Sequence, residues 1–112
     1  MLKLMAQALN NRSIEYADNR ISLFSAQFGK CAVTGREFTT TQEIHCHHKN
    51  PRNKGGSDKY DNLILVLDSV HILIHATDEG TVEKYKKICN LDADQMAKLN
   101  KLRLMAGNAE IK

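Results

Sequence analysis

Apolar positions recur along this chain at two different periods, and the change from one to the other marks out its elements. Ile21, Phe24 and Phe28 follow one another at three- and four-residue spacing. That spacing predicts a short amphipathic helix over about residues 20–28, capped by Asp18 or Asn19 and stopped by Gly29. Residues 31–38, CAVTGREF, read as a knuckle turning at Gly35. From Glu43 to His48 the period drops to two and predicts a strand, with Ile44, Cys46 and His48 on one face and His45 and His47 on the other. The cluster PRNKGGSDKYDN breaks this strand from the apolar run Leu63–Leu67, which predicts a second strand. Helical spacing then returns. A helix over 70–76 is capped by Asp68 or Ser69, and one over 81–88, capped by Thr81, has the stripe Val82, Tyr85 and Ile88. A last helix, capped by Asp92 or Asp94, carries Met96, Leu99, Leu102 and Met105 or Ala106 and stops at Gly107. Residues 1–9 have helix-forming composition without a clear cap.

Composition narrows the classes. The chain has 112 residues, enough for one small domain with a modest core, and its 42% hydrophobic and 26% charged content excludes disordered and collagen-like classes. With three Phe, three Tyr and no Trp the core is aliphatic. A net charge of +3 permits a nucleic-acid partner without demanding one. Cys31, Cys46 and Cys89 are odd in number and irregularly spaced, which does not suit a disulfide framework and points to a reducing, cytoplasmic setting. No apolar run approaches the roughly 20 residues that span a bilayer.

The candidate chemistry lies between Glu43 and Ala76, where all five histidines fall. His71 and His75, four apart, share one helical face and can offer two imidazole nitrogens to a divalent metal. A third imidazole from the neighbouring strand, with His47 the candidate, makes a three-ligand site with open positions, the pattern of a catalytic metal. His48 points the other way and suits a general base, because imidazole titrates near neutrality. Lys49, Arg52, Lys54 and Lys59 outnumber the acids of the intervening loop and can hold a phosphate backbone. Taken alone, His71 and His75 fit a half-exposed polar face and Asn62 a turn residue; the joint pattern raises them. His45 shares a face with His47 and reads as a surface or phosphate contact. Cys46 and Cys89 read as small buried hydrophobes, and the clusters Lys84, Lys86, Lys87 and Lys98, Lys101, Arg103 as solvated helix faces able to extend a DNA footprint.

The pattern His47-His48-x-x-Pro51-x-x-x-Gly55-Gly56, then Asn62-Leu63, then His71-x-x-x-His75 resembles the HNH nucleases of the ββα-metal class. Asn19–Ala76, with NRISLFSAQFGKCAVTG leading into EIHCHHKNP, is similar to the C-terminal HNH endonuclease domain of group II intron-encoded reverse transcriptase/maturase proteins. The resemblance implies an α+β fold: a ββα-metal core of a two-stranded antiparallel hairpin and a metal-bearing helix, flanked by an N-terminal helix and two C-terminal helices. Residues 18–80 would form the nuclease core, 81–112 a helical extension, and 1–17 a leader or the tail of a larger protein. It implies His48 as general base, Asn62 as the residue that braces the loop beneath it, and His47, His71 and His75 as ligands of one divalent metal. Mg²⁺ is the ion of the intron family, while three imidazoles also suit Zn²⁺, Ni²⁺ or Mn²⁺. The implied reaction is hydrolysis of a DNA phosphodiester to 5′-phosphate and 3′-hydroxyl ends, linked to intron mobility. The partners are DNA and, in that setting, intron RNA or reverse transcriptase/maturase parts. Alternatives are a catalytically inactive DNA-binding remnant and a free-standing phage- or toxin-type nuclease. The chain departs from the family's two Cys-x-x-Cys pairs: Thr34, Leu67 and Val70 stand at three of the four positions, so no structural zinc is expected and the Cys31 knuckle should be held by packing.

Overall fold

The run at residues 63–67 forms β2 (Leu63–Leu67), which pairs antiparallel with β1 (Ile44–His48). In the register, His45 lies opposite Val66, Cys46 opposite Leu65, His47 opposite Ile64 and His48 opposite Leu63. The computed structural model describes residues 14–112; the expected element in residues 1–9 and most of the expected leader lie outside them. Around the hairpin stand four helices, α1 (Ile14–Ala26), α2 (Asp68–His75), α3 (Glu79–Cys89) and α4 (Ala93–Met105). The fold is α+β, with β1, β2 and α2 as a ββα core.

Successive side chains of a strand point to opposite faces, so the hairpin separates two apolar clusters. On one face Ile44, Leu63 and Leu65 pack against Tyr16, Ala17 and Leu23 of α1. On the other, Val66 meets Cys31 and Val33 of the knuckle, Val70, Leu73 and Ile74 of α2, and Leu99 and Leu102 of α4. Leu65 and Val66 are both fully buried, which is why β2 reads as an unbroken apolar run instead of an alternating one. Each such side chain contributes roughly 1.5–3 kcal/mol through burial.

Several helix boundaries differ from the sequence expectation, each for a local reason. α1 begins at Ile14, not near Arg20, and Asp18 and Asn19 lie within it. Its buried face is Tyr16, Ala17 and Leu23, while Phe28, expected on the apolar stripe, is 83% exposed. Phe28 instead ends the helix in a left-handed conformation with φ 55°; its N–H bonds Ser25 O at 3.0 Å and that of Gly29 bonds Phe24 O at 2.8 Å. α2 follows β2 directly, so Asp68 and Ser69, expected as caps, lie in its first turn, and Leu67 at the cap position makes no side-chain bond. In α3 the cap is Asp78, whose carboxylate accepts the Thr81 N–H at 2.9 Å and hydroxyl at 3.0 Å. Cys89 completes the α3 stripe and Ile88 is exposed. α4 opens with Asp92 and Gln95 in a reciprocal capping box.

The largest departure is Arg103, expected on a solvated face but buried. Its Nε donates to Ala109 O at 2.7 Å, and its Nη1 donates to Ala76 O at 2.9 Å and to Leu73 O. Asn108 Nδ2 adds a bond to Ile74 O at 2.8 Å. The last carbonyls of a helix have no partner within it; here α4 and the chain after it supply those of α2. The knuckle is closed by hydrogen bonds as well as packing: Cys31 N–H bonds Arg36 O at 2.9 Å, and the Leu67 N–H donates to Cys31 Sγ at 3.4 Å.

Replacing Arg103 by Met would keep much of its packing and strip the Leu73, Ala76 and Ala109 carbonyls of this donor. Leaving them buried and unpaired should cost about 2–4 kcal/mol, read as a lower midpoint in urea unfolding. A change below about 0.5 kcal/mol, the ordinary level for a surface substitution, would show that the guanidinium is not what closes α2.

Candidate active site

The alternation of β1 sends its two adjacent histidines to opposite sides of the sheet. His47 faces α2, where His71 and His75 stand one turn apart. The ring centroids are 5.4 Å apart for His47 and His71, 5.2 Å for His47 and His75, and 4.7 Å for His71 and His75. One ligand-capable atom from each of the three lies within 4.8 Å of the others. His45 is half-buried, not free on the surface, and stacks on His71 at 5.0 Å.

Burial sets the charge state of this cluster. Desolvation, followed by the neighbouring His71 and His75, pushes His47 down to about 3. Desolvation, followed by His75 and His45, pushes His71 down to about 4. His75 is lowered by desolvation and then by the Arg103 guanidinium. All three are neutral near pH 7, with lone pairs available. His47 is only 2% exposed, and its buried Nε2 has no hydrogen-bond partner. An unsatisfied buried nitrogen beside two neutral imidazoles is a donor set that fits a divalent ion.

His48 occupies the opposite face. Its ring stacks on Tyr16 of α1 at 5.8 Å with an interplanar angle of 8°. Its Nε2 lies 2.8 Å from Asp58 Oδ1. With Nε2–H donating to that carboxylate, the neutral form of the ring keeps its lone pair on Nδ1. Asn19 of α1 fixes the Asp58 segment by donating to Asp58 O at 2.8 Å. Sequence reasoning missed Asp58, because its approach to His48 depends on how the loop folds back.

That fold depends on Asn62. Its Oδ1 accepts the Asn50 N–H at 2.9 Å, and its Nδ2 donates to Asn50 O at 3.1 Å and to Ser57 O at 2.9 Å. Gly56 is required by contact: a Cβ there would lie 1.8 Å from Asn50 O. The loop is thereby pinned across its width, next to the end of β1.

A cleft of about 370 Å³ brings His47, His48, His71 and His75 together with Pro51, Arg52 and Asn53. Of the basic residues expected on the DNA backbone, Arg52 lines this cleft and Lys59 is exposed. Lys49 lines a different hollow, beside Lys98 and Lys101. Lys54 donates to Ala106 O at 3.4 Å, so it ties the loop to the end of α4.

Residues 31–76 match the family model described as HNH endonuclease. Over that segment the chain is similar to HNH endonucleases, which supports a nuclease and DNA as its substrate. HNH domains generally bind a divalent metal, and the three-histidine cluster lies within the matched segment. No curated protein and no solved structure matches the chain. Among the described residues no helix is long and apolar enough to cross a membrane.

Two measurements follow. The pKa values of about 3 and 4 for His47 and His71 lie below the unfolded value near 6.5, so the unfolded chain takes up protons first as the pH falls. Metal-free protein should therefore keep its full stability above about pH 6.5 and lose it progressively toward pH 4, seen as a falling Tm; a flat profile across that window would contradict the buried neutral cluster. Zn²⁺ or Ni²⁺ at 100 times its Kd should stabilise the fold by about 2.7 kcal/mol, and the gain should vanish in His71→Ala.

Proposed function

We propose that the protein is a metal-dependent DNA endonuclease of the HNH type, with His48 as general base, Asn62 as loop brace and His47, His71 and His75 as metal ligands. The observation that carries this reading is the meeting, in one cleft, of three neutral imidazoles and a fourth whose orientation is fixed by a carboxylate. A divalent ion bound to the three would supply positive charge for the phosphate and the departing 3′-oxygen. Mg²⁺ is favoured by the intron resemblance, with Zn²⁺, Ni²⁺ and Mn²⁺ as the other candidates.

The chain's own residues account for the proton. His48 Nδ1 takes a proton from water as the water oxygen attacks phosphorus; the P–O3′ bond breaks and the departing 3′-oxygen takes a proton from a second, solvent water, leaving a 5′-phosphate and a 3′-hydroxyl. Asp58 holds Nε2–H through the step and stabilises the imidazolium that forms. Tyr16 limits rotation of the ring, and the Asn62 clamp keeps Asp58 within reach. Arg52 lies where it can meet a phosphate oxygen, and Lys49, Lys54 and Lys59 add backbone contacts on the surrounding surface. The similarity of Asn19–Ala76 to intron-encoded proteins favours strand cleavage in group II intron mobility, with intron RNA or reverse transcriptase/maturase parts as partners. Within this reading, residues 18–80 form the nuclease unit and 81–112 its extension.

The test is nicking of supercoiled plasmid by the full chain across Mg²⁺, Mn²⁺, Ni²⁺ and Zn²⁺. His48→Ala should slow nicking by roughly 10²–10⁴-fold while metal still raises the Tm. A parent protein inactive with all four ions would sink the enzymatic reading, and a His48→Ala protein as fast as the parent would remove the base assignment alone.

A further inference from the structure

A second hollow lies one strand away from the histidine cleft. His47 opens into the cleft, and its register partner Ile64 lines the hollow together with Val33 of the knuckle and Leu102 of α4. The hollow has a volume of about 220 Å³ and an apolar floor. Its rim carries three ammonium groups, Lys49 from the end of β1 and Lys98 and Lys101 from α4. None of the three forms an ion pair with a carboxylate among the described residues. α4 lies outside residues 31–76, so the wall of the hollow that carries Lys98 and Lys101 is an addition to the matched segment, while Val33, Lys49 and Ile64 belong to it.

We infer that this hollow is a second contact for duplex DNA, gripping the sugar-phosphate backbone beyond the phosphate that is cut. Three unpaired cations around a concave surface concentrate a polyanion there. The aliphatic floor suits the C–H faces of deoxyribose. A site for an unpaired base would offer an aromatic face, and no Phe or Tyr lines this one. Lys54, bonded to Ala106 O, joins the loop wall of the cleft to the end of α4, so one length of backbone can run along both surfaces. Among polyanions, the choice of DNA rests on the nuclease reading above; the lysine cluster itself does not.

Binding of the full chain to a duplex oligonucleotide in EDTA, measured across salt concentrations, tests this separately from cleavage. Changing both Lys98 and Lys101 to Ala should weaken binding to all sequences alike and reduce the slope of log K against log salt by about 2. Changing Lys84 and Lys87 of α3 to Ala should leave the slope as it is. An unchanged slope in the α4 variant, or an equal loss in the α3 variant, would overturn the inference. So would tighter binding of polyglutamate than of DNA with the same lysine dependence, which would assign the hollow to an acidic protein. A parent that binds with this dependence yet shows no cleavage in the presence of any of the four metals keeps the DNA contact and loses the nuclease reading. A parent that cleaves while the α4 lysines make no difference does the reverse.

Discussion

The two-residue period of β1, locked to β2 by the antiparallel ladder, is the constraint on which the site depends. His47 and His48 are neighbours in sequence and need opposite environments: a dry nitrogen facing α2 for one, and a carboxylate and an aromatic ring for the other. Only a strand places adjacent side chains on opposite sides so completely. A slip of one residue would exchange the two and carry Ile44 and Cys46 out of the apolar layer. Both faces of the hairpin are buried, so the register is enforced from two sides at once.

Around this hairpin the protein arranges rigidity in layers. α1 covers the face of the base and contributes Tyr16 to its ring and Asn19 to the Asp58 segment. α2 covers the other face and brings His71 and His75. The loop between the strands, basic and rich in glycine, is held by polar side chains, Asn62 from within it and Asn19 from α1. Asn62 takes both backbone groups of Asn50 and one of Ser57, as a short piece of sheet would. The polar segment is thereby fixed at the edge of the cleft without a core of its own.

Much of this was readable from residue order. The hairpin, the split of the histidines between two faces and the shared face of His71 and His75 all follow from periods of 2 and 3.6. What residue order leaves out depends on partners distant in the chain. Asp58 lies ten residues beyond His48 in a loop with no period, and no spacing rule reports their contact. Asp18 and Asn19 look like caps because their side chains can cap; α1 runs past them because Tyr16 and Ala17 are needed against the hairpin. Thr81 has a side chain able to cap, yet it is the residue bonded by the cap, Asp78. Arg103 did leave a signal: it stands four after Leu99, on the apolar stripe, where a cation is buried only if it has work to do with carbonyls.

The reach of Arg103 bears on how far this site can be moved. The matched segment ends at Ala76, one of the residues whose carbonyl Arg103 holds, and the core around α2 is completed by Leu99 and Leu102. The opposite face of the hairpin is completed by Tyr16 and Ala17, before the segment begins. The recognisable motif therefore has no closed interior of its own. Grafted alone onto another protein, residues 31–76 would arrive with the α1 face of the sheet bare and the α2 face short of Leu99 and Leu102; the smallest portable unit is the hairpin with the four helices around it.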